Sequence, residues 1–222
     1  VGVLGYRIEY GKGLGGATSI NLGYIGEVAN PFTYAYSGDM NGDRINGNDL
    51  LYVPNSASEL RFAPLVVSST VNNVTTTRTY TEEEQRTAFD AYINQDKYLR
   101  TRRGQYAERN GAILPMLHRL DLSVTQDIYI KIGGKKNSFQ VRADILNFTN
   151  MLNKDWGVTQ RATNANVLAY NSTAAGNVPV YQLATQTDSN GVRTLIKDTF
   201  QKNTSTFDVW QAQFTLRYTF GN

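Results

Sequence analysis

Five segments of the chain alternate between apolar and polar residues with a period of two, the signature of β-strands with unlike faces. In the first, Leu4, Tyr6, Ile8 and Tyr10 fall on one face, opposite Gly5, Arg7 and Glu9. In the second, Ile20, Leu22 and Tyr24 alternate with Ser19, Asn21 and Gly23. Leu120, Leu122, Val124, Ile128 and Ile130 then oppose Arg119, Asp121, Ser123, Thr125 and Asp127. Phe139, Val141, Ala143 and Ile145 oppose Gln140, Arg142 and Asp144. The last segment sets Trp210, Ala212, Phe214, Leu216, Tyr218 and Phe220 against Gln211, Gln213, Thr215, Arg217 and Thr219. The pattern predicts strands near 3–10, 16–37, 116–131, 137–149 and 206–220. Globular strands average about 5–6 residues, whereas a strand that crosses a bilayer needs about 9–11. The polar faces carry both signs of charge, as a wet barrel lumen does. Tyr6, Tyr10, Tyr129, Tyr218 and Phe220 sit near strand ends, where an interfacial aromatic girdle would fall.

The connections sharpen this picture. Strands one and two are joined by "GKGLG" (11–15), and strands three and four by "GGKK" (133–136). The other two connections are very long, near 38–115 and 151–205. Going up and down in order, both short turns fall at one end and both long loops at the other. Short periplasmic turns and long extracellular loops are the pattern of an outer-membrane barrel; in a compact soluble domain, loops this long count against the strand assignment. The parity places the C-terminus at the short-turn, periplasmic end. The first long loop holds a helical stripe, Ala88, Phe89, Tyr92 and Ile93, behind Thr81 and Glu84 in capping-box spacing, which predicts a helix over 82–95. The second reads as a hairpin turning at Asn190–Gly191. Together they are expected to build a structured loop domain over a barrel mouth. Five strands are too few to close a barrel, and no leader begins the chain. The expectation is therefore the C-terminal part of a longer barrel, or one piece of a split one.

Composition adds exclusions. No run of about 18 apolar residues exists, so no helix crosses a membrane, which leaves a β-barrel open. There is no cysteine, so thiolate metal sites, disulfides and Cys nucleophiles are absent. His118 is the single histidine and is expected at the rim. No nucleophile–base pair can be assembled, and an enzyme is the least supported class. The net charge of +3 reads as an ordinary mixture.

Four stretches carry a resemblance: "SGDMNGDRINGNDLLYVP", "FDAYINQDKYLRTRRGQYAERNG", "HRLDLSVTQDIYIKIGGKKNSFQVRADILNFTNMLN" and "WQAQFTLRYTF". They resemble the C-terminal barrel region of TonB-dependent outer-membrane receptors of Bacteroidota. The closest group is the Oar-like receptors, which carry a carboxypeptidase-regulatory-like domain. The resemblance runs from about Pro31 to Phe220 and leaves the middle of the second long loop unmatched. It implies an all-β fold: a transmembrane antiparallel β-barrel of 22 strands, filled by an N-terminal plug and energised through the TonB complex. Its partners would be outer-membrane lipid, the rest of the barrel with its plug, and the TonB complex through an N-terminal part. It implies import of a large nutrient, with this chain forming wall and extracellular loops. A terminal aromatic barrel-insertion signal would fall on Phe214, Leu216, Tyr218 and Phe220; here Gly221 and Asn222 follow the last aromatic.

Two other readings stand beside it. One is an outer-membrane barrel that scaffolds surface lipoproteins or a secretion assembly without import. The other is a soluble calcium-dependent β-domain that binds carbohydrate. The second starts from the acidic loop, where Asp39, Asn41 and Asp43 fit the first alternating positions of a calcium loop, with Asn46 and Asp49 behind them. Arg44 stands where such loops carry glycine. The competing reading is a loop of Asx turns, or carboxylates paired with Arg100, Arg102 or Arg103. Those arginines are expected in internal ion pairs, not on nucleic acid. Asp121, Asp127 and Asp144 are expected to pair across strands with Arg119 and Arg142.

Overall fold

The computed structural model describes residues 1–11, 15–203 and 205–221. The chain forms two compact units, one made of 1–29, 115–160 and 202–222, the other of 30–114 and 161–201. It is mostly β-strand with few helices, the all-β class the alternation predicts.

The first unit is one antiparallel sheet. Its strands are β1 (Gly2–Tyr10), β2 (Gly16–Glu27), β3 (Leu117–Ile132), β4 (Lys135–Leu146) and β5 (Gln211–Thr219). They lie side by side in chain order. β3 and β4 meet in a two-residue turn in which Gly133 and Gly134 both have positive φ (58° and 80°), the type I′ geometry that suits a twisted hairpin. The matching turn between β1 and β2 falls at the same end of the sheet, with Lys12–Leu14 outside the described residues. Among the described residues the sheet does not close: β1 and β5 each have one neighbour.

The strand ends correct the sequence reading at three places. β2 stops at Glu27, where alternation carried it to 37. Pro31, which has no N–H to give a central ladder, begins a separate two-residue strand paired with Ala112–Ile113. Tyr36–Ser37 pairs in parallel with Leu168–Ala169 in the second unit. β4 stops at Leu146 because Asn147 turns left-handed (φ 53°) and a short helix, Phe148–Leu152, follows. β5 begins at Gln211, since Thr206–Asp208 forms a 3₁₀ turn.

The second unit gathers both long connections into one fold. Leu168–Ala174 and Val178–Leu183 form a hairpin, flanked by Tyr36–Ser37 and Arg61–Phe62 in parallel pairing. The predicted helix is present at Glu82–Gln95, with the Thr81–Glu84 capping box formed in both directions. The Asn190–Gly191 turn is present too, with Thr185–Thr187 paired to Arg193–Leu195. Phe89, Tyr92 and Ile93 of the helix stripe are buried against Tyr34, Leu51, Phe62, Val167, Leu168 and Ile196.

Two buried polar side chains tie these connections together. Gln85 donates to the Ala63 carbonyl at 2.7 Å and accepts from the Leu183 N–H at 3.1 Å. Asp96 takes the Tyr98 and Leu99 N–H groups on one oxygen, and the Tyr34 and Thr199 hydroxyls, each at 2.8 Å, on the other. Burial raises the Tyr34 hydroxyl pKa well above the tyrosine range. It also pushes Tyr92 up to about 12, so both stay neutral donors.

Candidate functional sites: the apolar sheet face and the acidic loop

The register of the five-stranded sheet sorts its side chains. Leu4, Leu22, Leu122, Ile145 and Ala212 lie abreast across all five strands. Tyr6, Ile20, Val124, Ala143 and Phe214 form the next row, and Tyr10, Gly16, Ile128, Phe139 and Tyr218 a further one. A one-residue slip anywhere would turn a whole strand over, so the pairing specifies one apolar face. That face is uncovered: Leu4 is 74% exposed, Tyr6 69%, Phe214 77% and Leu216 68%. Ala17 is the one fully buried hydrophobic residue in this unit among those described. A soluble sheet normally buries its apolar face under a second layer; among the described residues of this unit only the segment 149–160 lies against it, at one end.

The opposite face is polar and internally paired. Arg7 of β1 reaches across β2 to Asp127 of β3 at 3.0 Å, and also meets Glu9 and the Tyr129 hydroxyl. Gln140 of β4 closes on Asp127 from the other side at 2.7 Å. The pairs Arg119–Asp121 (3.4 Å) and Arg142–Asp144 (2.8 Å) run along single strands, two residues apart, not across strands as expected. Alternation places residues two apart on the same face, which brings such neighbours within reach. Tyr129 belongs to this polar face, with Lys136 over its ring, so it cannot join the girdle predicted with Tyr6, Tyr10 and Tyr218.

Phe214, Leu216, Tyr218 and Phe220 all project from the apolar face, with Tyr218 and Phe220 in edge-to-face contact at 4.7 Å. The end of β5 is clamped by the buried Asn137, whose amide oxygen accepts from the Tyr218 hydroxyl and the Gly221 N–H. A side chain at Gly221 would lie 2.0 Å from the Lys136 carbonyl oxygen, so only glycine fits directly after the last aromatic. One polar cluster interrupts the apolar face: Gln126 bonds Thr18, Tyr10 and the Asp127 carbonyl. The skipped position in the stripe between Val124 and Ile128 was its signal in the sequence.

The acidic loop is closed on itself. The Asp39 carboxylate accepts from the N–H groups of Gly42, Asp43 and Arg44, and Asp49 accepts from Met40. Asn41 accepts from Asp43, and Asp43 from Ile45 and the Asn48 side chain. The Ile45 N–H and then Asn48 hold the Asp43 carboxyl below the usual range. Arg44 takes the left-handed conformation (φ 71°) that glycine supplies in calcium loops, and Asn46 is exposed. Among the described residues no three carboxylate or imidazole groups converge, and the loop has the Asx-turn form. The nearby arginines pair elsewhere: Arg103 with Asp90 at 2.7 Å and Arg102 with Glu108 at 2.9 Å. His118, at the start of β3, accepts from or donates to the Tyr24 hydroxyl at 2.7 Å.

No protein-family model matches the chain, and no curated protein or solved structure is significantly similar to it.

Proposed function

We propose that the five-stranded sheet is a stretch of outer-membrane barrel wall, and that the chain supplies C-terminal strands and extracellular segments of a TonB-dependent transporter for a large nutrient. One observation carries the membrane part. The register lines the apolar residues of all five strands on one uncovered face and keeps ion pairs on the other. Leu120 to Ile132 runs about 40 Å along β3 at roughly 3.3 Å per residue. At the roughly 40° tilt of barrel strands this is about 30 Å along the membrane normal, enough to cross the apolar band. The unpaired edges of β1 and β5 then meet further strands of the same barrel, because lipid tolerates no open edge. The transporter part rests on the resemblance of the four motifs.

The chain has no cysteine, so single cysteines introduced along β5 report without background. A nitroxide at positions 212, 214 and 216 should be reached by oxygen dissolved in the bilayer, and one at 213 and 215 by a water-soluble relaxer. Loss of that alternation, or a folded monomer in detergent-free buffer, would remove the barrel. If the alternation holds but uptake persists after the proton-motive force is collapsed, the TonB-dependent step falls.

A further inference from the structure

At the end of the apolar face away from the short turns, the segment Thr149–Gln160 folds against β2 and β3 and leaves a crevice of about 320 Å³. Tyr24 and Leu120 of the apolar face form its floor, and Met116, His118, Trp156 and Val158 line it. This size falls at the lower end of small-molecule pockets. The crevice is continuous with the uncovered face, since Tyr24 and Leu120 are paired and Leu22 and Leu122 follow on the same side. Trp156 and Met116 remain about half exposed at its rim. The mouth carries Asp155, which lines the crevice and is bonded by Lys202 at 2.5 Å, and Lys154 lies beside it in sequence. Asp155 is held by Lys202 and also feels Lys154, so both lysines stand at this end of the crevice.

We propose that this crevice holds one acyl chain of an anionic, phosphate-bearing lipid of the extracellular leaflet, with Lys154 and Lys202 at its phosphate and phosphatidylglycerol as its probe. The proposal rests on the membrane placement of the sheet. An apolar slot that opens onto lipid fills with hydrocarbon, and indole rings favour the headgroup level. A basic mouth adds attraction for an anionic head.

Trp156 and Trp210 are the two tryptophans. The detergent-solubilised full protein with Trp210→Phe reports Trp156 alone; with Trp156→Phe it reports Trp210, which precedes β5 and does not line the crevice. Titration with phosphatidylglycerol brominated on its acyl chains should quench Trp156 saturably, at one lipid per protein. It should quench Trp210 only gradually. Leu120→Phe, which fills the slot, should abolish the saturable phase, and Lys154→Glu, at the surface, should weaken it. Quenching of Trp156 that is as gradual as that of Trp210, or unchanged by both substitutions, would overturn the crevice while the membrane face stands. Equal binding of brominated phosphatidylcholine would overturn the anionic headgroup. Quenching of neither tryptophan would remove the membrane placement itself.

Discussion

Single side chains set the local geometry here in ways that chemistry can test. Glu84 closes the helix capping box: its carboxylate accepts from the Thr81 N–H at 2.8 Å and pairs with Arg78 at 3.0 Å. The Thr81 N–H, and then Arg78, lower its pKa below the ordinary 4.5. A depressed carboxyl stabilises the folded state above its unfolded pKa and loses that contribution as pH falls through the folded value. Exchange protection of the first helical amides should therefore decline below about pH 4.5. Glu84→Gln, which keeps a capping acceptor but cannot titrate, should flatten that decline; an unchanged profile would place the pH dependence elsewhere. Asp96 is the stronger case. Replacing it with Ala leaves two hydroxyls and two amides without this acceptor, a loss of about 3 kcal/mol or more of unfolding free energy, read from denaturant unfolding. Asp96→Asn keeps an acceptor and should lose clearly less. The capping box was legible because Thr and Glu three apart carry their own mechanism. Asp96 was not, because its partners Tyr34 and Thr199 lie far away in sequence.

At the scale of elements, the strands were legible because period two is a local signal. Their ends were not: alternation continued past Glu27, and Pro31 was the residue that should have stopped the reading. Tyr129 shows the same limit in reverse, since aromatic character was read without its parity. Parity yields a sharp expectation on β5. Phe214→Lys puts a charge on the apolar face, abreast of Ala143, whereas Gln213→Lys puts one on the polar face, abreast of Asp144. In a bilayer the first should cost about 2–4 kcal/mol if it lies near the midplane. In water the same change on an exposed phenylalanine should cost within roughly 0.5 kcal/mol. Reversible urea unfolding in lipid vesicles would read the difference. Equal effects at 213 and 214 would argue that both faces meet the same solvent.

For the whole molecule the informative contrast is between two ways of satisfying apolar residues. The second unit encloses its own: Tyr34, Phe89, Tyr92, Ile93, Leu99, Val167 and Leu168 are almost fully buried. The first unit has almost no buried core, and its apolar side chains stand uncovered in rows. That the two long connections share one core could not be read from either alone, because the helix is amphipathic toward strands more than 70 residues away. The two units should therefore answer to different perturbations. Phe89→Ala empties a fully buried site, at about 3–5 kcal/mol. It should strip exchange protection from amides of 30–114 and 161–201 while those of β1–β5 keep theirs. Dilution out of detergent should do the opposite, exposing the β1–β5 ladder and leaving the helix Glu82–Gln95 protected. Exchange measured by mass spectrometry on the same peptides reads both experiments. If the sheet keeps its protection in plain buffer, its apolar rows are covered by protein and not by lipid, and the barrel wall is the wrong reading of them.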